Sequence, residues 1–122
     1  MSDKGRGFSE RLDFRALSRD CGRSIQHFVE RYGYTTEKVG RGFYVGRDTD
    51  ASGRLKKRSF VVYPYDGRWR DFAGDGPGGV WGGGDGGDLV DFIMHIANLN
   101  KRQAIEIAMA LAGWEKPHGW RG

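Results

Sequence analysis

Nine of the chain's 21 glycines lie between Gly74 and Gly87, and the hydrophobic rhythm changes across that run. Before it, aromatic and β-branched residues come in short bursts. After it, apolar residues recur every three or four positions. A period near 2 followed by a period near 3.6 predicts strands and then helices. At 122 residues the chain has room for one domain.

The bursts fall at 42–47 (GFYVGR), 58–63 (RSFVVY) and 68–72 (RWRDF). Residues 48–57 read as a polar hairpin connection around Gly53. Residues 64–67 (PYDG) read as a turn, since Pro presets φ and Asp-Gly tolerates positive φ. A three-stranded antiparallel meander is the simplest arrangement. Upstream, Phe14, Leu17 and Cys21 predict a weak helix from Asp13. A second helix follows, capped by Ser24, striped by Ile25, Phe28, Val29 and Tyr32, and stopped by Gly33. Downstream, Asp88 caps a helix with Leu89, Phe92, Ile93 and Ile96 on one face. Asn100, with Gln103 as capping-box partner, opens another that buries Ile105, Ala108, Leu111 and Ala112 and ends at Gly113. The expected fold is α+β: a small antiparallel sheet with an N-terminal helix and two C-terminal helices packed on it. The core sets Leu89, Phe92, Ile93, Ile96, Ile105, Ala108 and Leu111 against Phe43, Val45, Phe60 and Val62. Residues 1–12 read as a flexible tail, 13–113 as the domain, and 114–122 as a C-terminal tail with Trp114 pinned to the core.

Charge and cysteine content narrow the function. Twenty Lys and Arg against sixteen Asp and Glu leave +4, a modest bias toward polyanions. One cysteine, Cys21, excludes an internal disulfide framework and any zinc site with two thiolates from this chain. No apolar run approaches the ~20 residues of a membrane span, which predicts a soluble protein of a reducing cytoplasm with no membrane partner. Gly82 to Gly87 satisfies G-x-G-x-x-G before a helix, yet no strand leads directly into it and Asp85 and Asp88 would repel a phosphate. The EF-hand-like start at Asp48, Asp50 and Ser52 lacks its bidentate Glu, because Ser59 stands there. A lone calcium-repeat match at 83–90 lacks the stacked copies such repeats need. His27, His95 and His118 are isolated from one another and from Cys21. A metal-dependent enzyme using Asp48, Asp71, Asp85 and Asp88 has no defined geometry. The chain therefore reads as non-catalytic, with no cofactor.

The basic residues carry more. Arg54, Lys56, Lys57 and Arg58 cluster at the start of a predicted strand. Arg68 and Arg70 flank Trp69, so both guanidinium groups leave one face of the third strand. Tyr63, Tyr65 and Trp81 are nearby in sequence. Cations that track phosphates beside rings that stack on bases suit single-stranded nucleic acid.

Several segments in order resemble the N-terminal zinc-binding domain of bacterial-type (DnaG-like) DNA primases. The strongest is Gly86-Gly87-Asp88-Leu89-Val90-Asp91-Phe92-Ile93-Met94, followed by Leu99 and the 104–112 helix. Residues 25–32 are similar to the family's helix ahead of its ribbon. Gly42-Phe43-Tyr44-Val45-Gly46, Arg58-Ser59-Phe60-Val61-Val62 and Trp69-Arg70-Asp71-Phe72 are similar to its strands. The resemblance implies a zinc-ribbon-like sheet. The family's Cys-x-x-His and Cys-x-x-Cys ligands align with Asp48 and Ala51, and with Asp71 and Gly74, so it implies a ribbon without zinc. It further implies a template-binding module without the polymerising domain, acting in replication of a mobile element. The expected partner is single-stranded DNA, bound by Arg54, Lys56, Lys57, Arg58, Arg68 and Arg70, with Tyr65 or Trp81 stacking on a base. The alternative is a protein-interaction module or inhibitor that docks on a primase, a helicase or another nucleic-acid enzyme, using the glycine loop.

Overall fold

The computed structural model describes residues 13–74, 76–77 and 84–114. Helix α1 (Phe14–Arg31) leads into strands β1 (Thr35–Val39), β2 (Gly42–Gly46), β3 (Phe60–Tyr63), β4 (Arg68–Asp71) and β5 (Gly86–Asp88). Helices α2 (Leu89–Ile96) and α3 (Lys101–Ala112) follow. The strands form one antiparallel sheet in the order β1-β2-β3-β4-β5. This is the expected α+β arrangement, with a wider sheet.

Side chains alternate across the sheet, and the alternation divides it into two unlike faces. Phe43, Val45, Phe60, Val62 and Trp69 point inward and join Leu89, Phe92, Ile93, Ile96, Ile105 and Ala108 in a single buried cluster. Leu111 packs against its margin, half-buried. Trp69 stacks on Phe60 with ring centroids 5.2 Å apart, and Phe92 of α2 closes on Phe60 at 5.7 Å. The other face carries the row Glu37, Tyr44, Val61, Arg70, Gly86 across successive strands.

The caps behave as their chemistry dictates. The Asp88 carboxylate accepts from the Asp91 amide at 2.8 Å, Asn100 and Gln103 form a reciprocal capping box, and Gly113 closes α3 with φ +76°. Trp114 is tied down by its indole N–H, which donates to Asp20 at 2.7 Å.

Three expectations need correction. The N-terminal region is one continuous helix, capped by Asp13, and Ser24 lies inside it. Leu17, Cys21, Ile25 and Phe28 are buried along one unbroken stripe, so tertiary burial overrides the weak helix preference of Gly22 and Ser24. The sheet also has five strands instead of three. Strand β1 is a polar edge strand that lacks the aromatic signature of its neighbours. Strand β5 is Gly-Gly-Asp, read from sequence as part of a turn. It pairs with β4, and its glycines fit a tight place: a Cβ on Gly87 would sit 3.2 Å from the Trp69 indole nitrogen, and one on Gly86 3.2 Å from the Trp69 carbonyl.

At the sheet end away from the 64–67 turn, carboxylates close the 48–57 and 71–77 segments. Asp50 accepts from the amides of Ser52 and Arg54 at 2.9 and 3.0 Å and from the Ser52 hydroxyl at 2.7 Å. The Asp71 carboxylate, only 2% exposed, accepts from the amides of Gly74 and Gly76 at 2.9 and 2.8 Å. Buried Leu55 packs against Gly46, where the Pro77 carbonyl also arrives. Each segment is thus held by amide N–H groups that donate to an Asp carboxylate, and Leu55 fills the space between β2 and the first of them. Among the described residues, no three His, Cys, Asp or Glu side chains gather where a metal ion could sit.

Candidate nucleic-acid interface

Strand β4 sets the site by alternation. Trp69 and Asp71 are buried, while Arg68 and Arg70 are exposed on the opposite face, as their spacing requires. Phe72 continues this outward parity and is 64% exposed. The Arg70 guanidinium lies 5.2 Å from the Phe72 ring centroid. Half-buried Tyr63 pairs with Arg68, and half-buried Tyr44 lies two strands from Arg70 in the same row. A shallow groove of about 240 Å³ runs between Tyr63, Asp66, Arg68 and Arg70. Val61, between Tyr44 and Arg70 in that row, is buried, so the exposed part of this face is β4 itself. There, cations and rings can neutralise phosphates and support bases simultaneously.

The other predicted cations lie off β4, though Arg54 and Arg58 reach Glu37, which shares the outward row of Arg70. Arg54, Lys56, Lys57 and Arg58 lie in the connection before β3 and not in the strand itself. Arg54 and Arg58 both bind Glu37, through Nε at 3.0 and 2.8 Å, and the Leu55 amide donates to the same carboxylate at 2.7 Å. These two guanidinium groups therefore anchor the connection to β1. Lys56 and Lys57 are exposed. Tyr65 stands on the 64–67 turn with 68% of its surface exposed. Trp81 lies outside the described residues.

The bonds from Arg54, then Arg58 and the Leu55 amide, hold the Glu37 carboxyl down at about 2, against an ordinary value of 4.5. A lowered folded value means the contribution is complete above the unfolded pKa and is lost as pH falls from 4.5 toward 2. A carboxyl NMR titration of Glu37 should therefore show a midpoint near 2, and Arg54→Ala should move it upward. A midpoint above 4 in the unaltered protein would mean that the clamp does not form in solution.

Sequence reasoning missed a second basic surface. Arg15, Arg19 and Arg23 recur every four residues along α1, all exposed. Lys38 and Arg41 flank the Gly40 turn between β1 and β2 and are also exposed. The four-residue arginine period is legible on the predicted helices beside the apolar stripe, and Phe72 falls at the end of a predicted strand.

Cys21 is buried, and desolvation, reinforced by Asp88, pushes its thiol up to about 12. His95 sits 3.6 Å from Asp91 one helical turn earlier, and burial raises the Asp91 carboxyl. Among the described residues, no helix is long and apolar enough to cross a membrane. No family model and no curated protein matches this sequence.

Proposed function

We propose that this protein is a non-catalytic module that binds single-stranded DNA on the open face of β4, in the manner of a primase template-binding domain serving a mobile element. The observation that carries the reading is the placement of Arg68 and Arg70 on one exposed face beside Tyr63 and the exposed ring of Phe72. The guanidinium groups take phosphates. Phe72, with Arg70 already over its ring, offers a flat surface for a base. The ordered resemblance to primase segments supports the same class of partner.

The test is the double variant Arg68→Ala/Arg70→Ala, assayed by fluorescence anisotropy against several oligonucleotides of different sequence. Affinity should fall by a similar factor for all of them, because phosphate contacts carry no base information. Phe72→Ala should separately cost about 1–3 kcal/mol of binding if a base stacks there. Binding that ignores both changes would remove DNA from this face. Negligible DNA binding by the unaltered protein would favour the protein-docking alternative.

A further inference from the structure

We infer that a single strand bound on the β4 face rounds the 64–67 turn and continues into a cationic groove along α1, which is a second phosphate-binding subsite. The inference rests on the DNA reading above and extends its footprint to residues that reading does not use.

Three depressions share walls. The β4 groove contributes Asp66 and Arg68 to a neighbouring depression of about 900 Å³, which Arg15, Arg19 and Tyr65 also line. Arg19 and Tyr65 in turn line a third groove of about 470 Å³, between α1 and the β1–β2 turn. The path is therefore continuous from Arg70 to Arg41, with the exposed Tyr65 ring at the shared lip of the second and third depressions.

The third groove has the chemistry of a phosphate site. Arg19, Arg23, Lys38 and Arg41 line it, and no carboxylate does. All four cations are exposed, and none makes an ion pair or side-chain hydrogen bond within the described residues. Arg54 and Arg58, both seated on Glu37, show how this fold holds a structural arginine. The middle depression includes Asp66 and Asp88, set against Arg15, Arg19 and Arg68, so it is a less favourable place for phosphates than its neighbours.

The shape selects the partner. The path bends around a tight turn whose backbone touches α1: Gly22 meets the Pro64 carbonyl, and Gly67 meets Ser18. Duplex DNA is stiff over about 150 base pairs and cannot follow such a bend, whereas a single strand can. The ligand of the groove is the sugar-phosphate backbone of a flexible strand.

The test compares oligonucleotides of about 4 and about 16 nucleotides, the span of known single-strand footprints, on Arg23→Ala/Arg41→Ala. A control pair, Arg31→Ala/Lys101→Ala, removes equal charge away from the groove, at the α1–α3 margin and over the Phe14 ring. The groove variant should lose about tenfold affinity for the longer oligonucleotide, and its salt dependence should flatten by about 1.4 in log–log slope. Its affinity for the shorter oligonucleotide should stay unchanged, and the control pair should have little effect on either. If the groove variant matched the control pair on the long oligonucleotide while Arg68→Ala/Arg70→Ala still weakened it, the strand would not enter the groove. If neither oligonucleotide bound the unaltered protein, the DNA reading would fall together with this one.

Discussion

Replacing Phe92 by Ala should lower the unfolding free energy by about 3–5 kcal/mol, a large part of what a domain of this size holds. Phe92 is fully buried and lies 5.7 Å from the Phe60 ring and 6.5 Å from Trp69, ring centre to ring centre. Through these contacts α2 is fastened to β3 and β4, the strands that carry the exposed arginines. Removing the ring leaves a cavity among aromatic neighbours that are themselves held by sheet hydrogen bonds, so collapse around it is restricted. Urea unfolding measures the effect directly. An unchanged midpoint would mean that α2 does not present this face to the sheet.

Gly22→Ala should also destabilise, against the trend of helix propensity. Within an open helix the exchange usually gains about 0.5–1 kcal/mol. Here a Cβ would fall inside the contact distance of the Pro64 carbonyl oxygen, with the Pro64 Cα only 3.1 Å away. The obstruction is backbone at the start of the tight 64–67 turn, which cannot swing aside as a side chain would. The expected outcome is a net loss of about 1–3 kcal/mol. Thermal melts of the two proteins decide the sign. A rise in Tm would show that α1 stands farther from the turn than the structure places it, and the groove along α1 would lose its wall.

These two residues mark what the sequence made legible and what it hid. Phe92 was readable as core because its helix follows a 3.6-residue period behind an Asp cap. The alternation at Arg68, Trp69 and Arg70 likewise makes the outward face of β4 legible in the sequence. Gly22 was not readable, since its role comes from a turn more than forty positions away in the chain. Strand β5 was hidden for the same reason: Gly-Gly-Asp has little intrinsic strand preference, and its close fit beside Trp69 is a tertiary contact. For the site, the partner of Arg54 and Arg58 was not legible in the sequence. They adjoin Lys56 and Lys57 in the chain, yet their partner Glu37 comes from the edge strand β1. Arg19, Arg23, Lys38 and Arg41 are separated in sequence and brought together only by the packing of α1 beside the β1–β2 turn.

The central claim is that the arginines on the β4 face bind a flexible polyanion chain, and one measurement tests it most directly. The unaltered protein is titrated with a labelled single-stranded oligonucleotide of about 16 nucleotides, and with the matching duplex, across a salt series. Single-strand binding should be the tighter at every salt concentration, and its affinity should fall linearly on log–log axes with a slope of about −0.7 for each phosphate contacted. Affinity that does not change with salt, or equal binding of single strand and duplex, would contradict the account.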